Sequence, residues 1–564
     1  MRKIIATIML LTLFACETEQ PILLPPTIKL DSPTDSYQVK VNKQITITPI
    51  YENVAEAGYF WTIEGDVIST ESVLELTMDE SATYYINLEV VTSAGRAKKE
   101  VKLDVAPLLM PEISMIVPDG GFKSLIGTEL KVKPTVTNMD ETSKYKWMLG
   151  NDVIGEANSL AFKTDKMGRY ELVFSAQNND GVDTETIVVN VVGHSEFPFS
   201  WAVENTVFNA SVGRDIYIEM FDVKNESDAK YHWTIGGQEV AVTETPQYVI
   251  RDKSQGRYSV AVTMKNSYVQ PVTQEFDVNV CPAEGTYKRS ATPSSKASCV
   301  MVYDFLPAPG QFVNEGYTAN TIAEAIQVAQ TKLCGENEML LSLGGYGGYV
   351  VVGFDHSVEN KIGADLQIKG NPFAGSSEPG IVYVMQDENG NSLPDDTWYE
   401  LKGSETGKAE TFRDFAITYY RPNTPTSPIL WVDSHGGKGD IRQNEYHENS
   451  YFPAWMNDEK YTLRGTILSS KTVVDGNGIW TNAAFGWGYV DNFSAVDCVS
   501  NIGDGLEKNG NYLKISNAID HNGDAVALDY IDFVKVQTAL NITAGWLGEL
   551  STEVIRINDA HLIK

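Results

Sequence analysis

The chain has 564 residues, with 44 basic and 75 acidic side chains and a formal net charge of −31. That length calls for several domains, and an acidity spread along the whole chain repels nucleic acid phosphates and anionic headgroups, which excludes both as partners. Beyond the first residues, no segment is apolar for long enough to cross a membrane as a helix.

The chain opens on Arg2 and Lys3, followed by an apolar run from Ile4 to Leu13 and the residues Phe14-Ala15-Cys16. The run is too short to span a bilayer. It resembles a bacterial lipoprotein signal with its lipobox, which implies that residues 1–16 end at a diacylated Cys16. Glu17 and Glu19 resemble the acidic signal that takes Bacteroidetes lipoproteins to the outer face of the outer membrane. The resemblance implies a lipid-anchored protein facing the cell exterior. Residues 17–25 are polar and Pro-rich, as a flexible tether is. The remaining cysteines, Cys281, Cys299, Cys334 and Cys498, contain no C-x-x-C pair. Their spacing argues against zinc and is compatible with one disulfide, two or none.

An internal repeat follows. Trp61, Trp147 and Trp233 stand 86 residues apart, in YFWTIEGDVI, YKWMLGNDVI and YHWTIGGQEV. Each is followed by a strand-like segment that opens on Tyr84, Tyr170 or Tyr258, and each unit closes on an alternating run such as VKLDVAP. A core tryptophan, a later tyrosine strand and polar turn-rich joints predict an immunoglobulin-type β-sandwich. The pattern resembles the polycystic kidney disease (PKD)-like domains of bacterial surface proteins, with boundaries at 26–107, 108–193 and 194–282. Sandwiches need such aromatics to fill their cores, so the repeats read as a stalk that supplies reach.

From 283 to 564 the chain becomes aromatic-rich and Gly-rich, with no further repeat. Asn320 to Glu324 predicts a capping box, after which Ile322, Ile326, Ala329 and Leu333 share one helical face up to Gly335. The rest reads as many short strands with long loops. The expected fold is all-β: three tandem immunoglobulin-like (PKD-like) sandwiches, then a larger jelly-roll-like sandwich with one short helix.

Two constellations in this last domain carry chemistry. The loop Asp387 to Asp396 places a carboxylate or carboxamide at nearly every other position, and Ca²⁺ takes about 6–8 such oxygens. Asp387, Asn389, Asn391, Asp395 and Asp396 therefore form a candidate structural calcium site. It is not an EF-hand, because Trp398 stands where the bidentate glutamate belongs. The second constellation is aromatic: Trp431, Tyr446, Tyr451, Phe452, Trp455, Trp480, Phe485, Trp487 and Tyr489 cluster in segments bounded by Gly and Asn. Loop aromatics suit a bulky organic ligand, while a jelly-roll core consumes part of any such set. The Gly-rich segment WVDSHGGKGDI adds His435.

Other groups read more plainly. Neighbours on a strand point to opposite faces, so His356 beside Asp355 reads as a buried, hydrogen-bonded histidine and not half of an acid–base pair. A hydrolase needs two converging carboxylates. Glu378 and Glu400 are such a pair by type only, since their separation decides the matter.

The last domain, from VMVYDFLPAPGQFVNEG through FDHSV, SEPGIVYVMQDENGN, NEYHENSYFPAW and IDFVKVQT, resembles a surface-lipoprotein family of gut Bacteroidetes with members in cobalamin-uptake loci. The resemblance implies a non-enzymatic protein that captures cobalamin and passes it to an outer-membrane TonB-dependent transporter. Ligand contacts are expected from Trp431, His435, Trp455, Trp480, Trp487 and Tyr489. Asp433 to Gly439 nearly matches the D-x-H-x-x-G signature of corrinoid enzymes, but its glycine falls one place late. A glycan-binding or adhesive module is the alternative.

Overall fold

The computed structural model describes residues 23–197, 199–226, 228–335, 339–476, 478–498, 510–545 and 548–563. The leader and the lipidation candidate Cys16 lie outside the described residues. The chain divides into two compact units. One holds residues 1–113, 136–145 and 175–184; the other holds 114–135, 146–174 and 185–564.

The fold is all-β apart from one α-helix and two short 3₁₀ turns among the described residues. Each repeat forms a five-stranded sheet in which the first strand runs parallel to the last: Ser36–Lys40 beside Gly95–Ala106, Phe122–Leu125 beside Val182–Val192, and Val207–Ser211 beside Val272–Cys281. Alternation drives the packing. In Thr83–Thr92, Ile86, Leu88 and Val90 are buried while Tyr85 and Asn87 face out.

The three tryptophans are fully buried. Each indole N–H reaches ten residues ahead, to Glu71 O and Ala157 O at 2.9 Å and to Thr243 Oγ1 at 3.0 Å. A buried indole carries a donor that needs this partner. The tyrosines recur just as regularly. Tyr84, Tyr170 and Tyr258 each donate their hydroxyl to the carbonyl four residues back, at 3.2, 2.8 and 2.8 Å. This is the tyrosine corner of immunoglobulin-type sandwiches.

In the C-terminal domain a six-stranded antiparallel sheet runs Met301–Leu306, Tyr349–Glu359, Tyr530–Thr538, Gly380–Met385, Tyr399–Leu401, Ala518–Ile519. Its core is shared with a three-stranded sheet, Gly510–Leu513, Leu366–Lys369 and Arg556–Asp559, and with the helix Ile322–Cys334. A four-stranded sheet, Lys438–Ile441, Ile429–Asp433, Phe412–Tyr420 and Lys460–Ile467, covers a second core built on Tyr346, Tyr419 and Tyr461.

The helix start is as expected: Thr321 Oγ1 accepts the Glu324 N–H at 3.2 Å and Glu324 returns to the Asn320 N–H at 2.7 Å. Of its expected face, Ala329 and Leu333 are buried and Ile326 packs against the core, and Ile322 alone departs. Ala325, Ala329, Lys332 and Leu333 are covered while Ile322 is exposed. A residue in the first turn projects past the edge of the core even when its spacing is right.

The third sandwich belongs to the same compact unit as the C-terminal domain and is bonded to it. Arg214 holds Glu284 at 2.6 Å and the Ala527 carbonyl at 2.7 Å, and Tyr217 stacks on His521 with 3.6 Å between centroids. The expectation of three equivalent spacers is corrected here: the third module is built into the support of the last domain.

Candidate functional site

The acidic loop is an Asx-turn network. Asp387 is buried; its Oδ1 accepts the Gly390 N–H at 2.8 Å and its Oδ2 the Ser392 N–H at 3.1 Å. Asn389 and Asn391 turn their amide nitrogens onto the Asp395 carboxylate at 2.9 Å, and their oxygens accept the N–H groups of Asn391 and Leu393. Asp396 Oδ2 accepts the Glu388 N–H at 2.9 Å, and burial pushes that carboxyl up to about 8. Most of these oxygens accept the loop's own amides, while the buried Asp396 Oδ1 has no hydrogen-bond partner. Gly390 has φ 75°, and a Cβ there falls 2.6 Å from the Tyr287 ring, so the turn requires glycine.

The loop also meets the third sandwich. Glu388, buried, accepts the Ser211 N–H at 2.9 Å; Asn209 donates to the Asp395 carbonyl at 2.8 Å; and Thr397 donates to the Asn209 carbonyl at 3.0 Å. Dense polar side chains here close a junction between domains. Glu388 itself carried no signal in the sequence beyond its place in the run.

The aromatic candidates separate into three groups. Trp455 and Tyr489 are core residues, 3% and 1% exposed. Trp455 packs against Phe305 and Tyr317, and Tyr489 lies over Gly403 with its hydroxyl accepting the Glu405 N–H at 2.9 Å. Neither presents a ring face to a ligand. The glycines around Tyr489 mark close packing of ring on backbone, which sequence does not distinguish from an open loop.

Trp431 and His435 lie on the four-stranded sheet. Trp431 is half-buried with its ring over Gly439, and His435 sits exposed at a turn whose Asp433 accepts the His435 and Gly437 N–H groups at 2.9 and 2.7 Å. The His435 ring meets Phe412 and Phe415 edge-on.

Trp480 and Trp487 border a different surface. Trp480 lies opposite Val474 in the hairpin Thr472–Val474 and Trp480–Asn482. One edge of its indole packs against Gly545, leaving the residue half-buried. Around it Val473, Val474 and Ile479 are 59%, 50% and 57% exposed, and Phe373 is 62% exposed. Phe373 is carried by a turn docked on the hairpin through the Asn482 N–H to Gly375 O bond at 2.7 Å. Half-buried Trp487 sits in the loop whose Phe485 packs in the same small core as Trp480. Lys471, 4.1 Å over the Phe485 ring, pairs with Glu405, as does Lys408 at 2.7 Å. The hairpin therefore carries exposed apolar side chains on both faces, with Val474 beside Trp480 on one and Val473 beside Thr481 on the other. Among the described residues, the aliphatic members Val473, Val474 and Ile479 escaped the aromatic reading, although their crowding in a short hairpin was visible.

A cavity of about 300 Å³ opens elsewhere, lined by Phe312, Gly316, Tyr317, Lys332, Met339, Leu340 and Ser342. It stands at the bottom of the range for small-molecule pockets. His356 is buried between Asp355 Oδ1 at 2.7 Å and Asp559 Oδ2 at 2.9 Å. The bulge in strand Tyr349–Glu359 after Gly353 lets adjacent Asp355 and His356 meet. Glu400 is held by Arg413 at 3.2 Å and Thr466 at 2.6 Å, whereas Glu378 joins Asp491 and Glu553, so the two glutamates of the hydrolase pair have separate partners.

Comparison with known proteins bears on the repeats. Residues 25–92 and 110–178 match the PKD-like domain. The first two sandwiches are therefore PKD-like, and the third repeats their strand order. No curated protein matches the chain significantly. Among solved structures, the I-band fragment I67-I69 of titin is similar over 45% of this chain and 97% of its own, at 11% identity and TM-score 0.23. The insect immune protein hemolin is similar over 58% and 95%, at 11% identity and TM-score 0.18. The Clostridium thermocellum CbhA fibronectin(III)-like modules are similar over 32% and 100%, at 14% identity and TM-score 0.17. Such scores carry no functional argument.

Proposed function

We propose that the protein is a lipid-anchored, non-enzymatic outer-membrane protein whose C-terminal domain captures cobalamin and passes it to a TonB-dependent transporter. The first two sandwiches serve as the spacer. The observation that carries the binding surface is the exposed apolar hairpin that bears Val474 and half-buried Trp480 on one face, with exposed Phe373 on the turn docked against it and the charged groups of Lys408, Lys471 and Glu405 nearby. A corrin is a broad plate rimmed with amides, and it asks for flat apolar contact with hydrogen-bonding groups at its edge. An open surface accommodates it where a 300 Å³ cavity does not. The choice of a corrinoid rests on the resemblance of the last domain to lipoproteins of cobalamin-uptake loci.

Titration of the protein with cyanocobalamin tests this. Trp480→Ala is expected to cost at least about thirtyfold in affinity, the loss for a central aromatic anchor, with an unchanged melting curve. Trp431→Ala, on the other sheet, is expected to bind as the wild type does. A wild-type protein that binds no corrinoid overturns the ligand, and if it is retained on a glycan array the adhesive reading replaces it. Binding unaffected by both Trp480→Ala and Phe373→Ala overturns the surface.

A further inference from the structure

Glu378, Asp491 and Glu553 come from three separate segments, and their carboxylate oxygens lie within 4.8 Å of one another. Asp491 and Glu553 are buried, while Glu378 is partly exposed as a residue. The cluster is held from within by hydrogen bonds of the Glu553 carboxyl to Glu378 and Asp491, and also from outside. Asp491 Oδ1 accepts the Asn371 N–H at 3.0 Å, its Oδ2 accepts the Glu553 N–H at 2.9 Å, and Glu553 Oε1 accepts the Ser551 hydroxyl. The Glu378 backbone is fixed at both ends, its N–H to Asp491 O at 2.9 Å and its carbonyl by Thr552 Oγ1 at 2.9 Å.

Nothing basic answers these charges: among the described residues, no lysine, arginine or histidine pairs with any of the three. A fourth carboxylate makes the imbalance larger. Glu549 is buried; its Oε1 takes the Gln311 N–H at 2.6 Å, and its Oε2 has no hydrogen-bond partner. It lies near enough to the cluster for its charge to bear on Glu378 and for that of Glu553 to bear on it.

Carboxylates packed together without a counter-charge require either shared protons or a cation. Burial pushes Glu378 and Glu549 up to about 8 and raises Asp491 and Glu553 well above the usual carboxylate range. An all-oxygen set of ionised carboxylates is the donor set of hard divalent cations, Ca²⁺ above all. We propose that Glu378, Asp491 and Glu553 form a Ca²⁺-type divalent cation site in the C-terminal domain, with Glu549 beside it. The site lies where the segment bearing Phe373 meets the loop bearing Trp487, so the ion ties those two segments to the strand Glu553–Val554. It stands independently of which ligand the surface takes.

The test uses the whole protein, stripped with chelator and titrated with Ca²⁺ alone at pH 8 by calorimetry and thermal melting. The expected result is a saturable heat and a rise in Tm for the wild type. Glu553→Gln and the partly exposed Glu378→Gln keep the shape of the site while removing a charge, and at least tenfold weaker binding is expected in each that folds. Asp395→Asn, in the exposed acidic loop, is expected to retain the Ca²⁺ response. The proposal is overturned if Ca²⁺, Mg²⁺ and Mn²⁺ give neither heat nor Tm shift and elemental analysis of the untreated protein finds no ion. It is also overturned if Asp395→Asn abolishes a response that Glu378→Gln retains.

Discussion

Arg464 ties the third sandwich to the C-terminal domain, and replacing it tests whether that junction is energetically real. Its side chain, 10% exposed, places the guanidinium 4.0 Å from the Phe221 ring centroid, Nε 3.1 Å from Glu204, and Nη2 3.1 Å from Asp222, while Nη1 donates to the Asp414 carbonyl at 2.9 Å. The desolvated cation–π contact contributes about 2 kcal/mol. Glu204 and Asp222 are half exposed, so each screened ion pair adds at most about 0.5 kcal/mol. With the lost carbonyl bond, Arg464→Ala is expected to weaken the junction by about 3 kcal/mol. Amide exchange in Phe221–Lys224 and Lys460–Ile467 then accelerates roughly a hundredfold in the full-length protein. Lysine keeps the charge but loses the planar stack, so Arg464→Lys should recover less than half of the loss. A double-mutant cycle with Phe221→Ala should give a coupling of about 1–2 kcal/mol. Unchanged exchange in both strands, or a coupling under about 0.3 kcal/mol, refutes the reasoning.

Alanine at Trp61 should cost about 3–5 kcal/mol and melt its own sandwich, seen by calorimetry as one transition moving, whereas the same change at Trp233 should also lower the transition of the C-terminal domain bonded to it. Cys299 and Cys334, with sulfurs 3.0 Å apart, should form a disulfide on oxidation; non-reducing peptide mapping should find them joined, and unfolding should show a gain of about 4 kcal/mol for a loop of this size. Asp559, with Asp355, raises the His356 pKa against the opposing effect of burial. Because the folded value exceeds the unfolded one of about 6.5, this stabilisation is fully present below that pH and fades as pH rises through the folded value. Wild-type Tm should therefore fall over that window, and His356→Gln should flatten the dependence.

The repeats were legible because their signals are local and recur. Trp61, Trp147 and Trp233 mark one strand each, and alternation of the kind seen at Ile86, Leu88 and Val90 is the strand period itself. The capping box at Thr321 and Glu324 was equally local. His356 read correctly as a buried, hydrogen-bonded residue, although its partner Asp559 lies 203 positions away. The aromatics did not sort themselves. Trp455 fills a core while Trp480 is half-buried beside exposed Val474, because exposure depends on what the rest of the chain lays over a ring.

By itself the sequence determined the all-β class, the threefold repeat, its tryptophan cores and the helix start. Each of these depends on residues within a few positions of one another, where backbone geometry sets which side chains share a face. Tertiary structure alone decided that the loop from Asp387 to Asp396 satisfies its own amides and meets the third sandwich. It also decided that Glu378, Asp491 and Glu553 converge. Those arrangements depend on the register between strands far apart in the chain, and that register follows from packing a whole core, which no local pattern records.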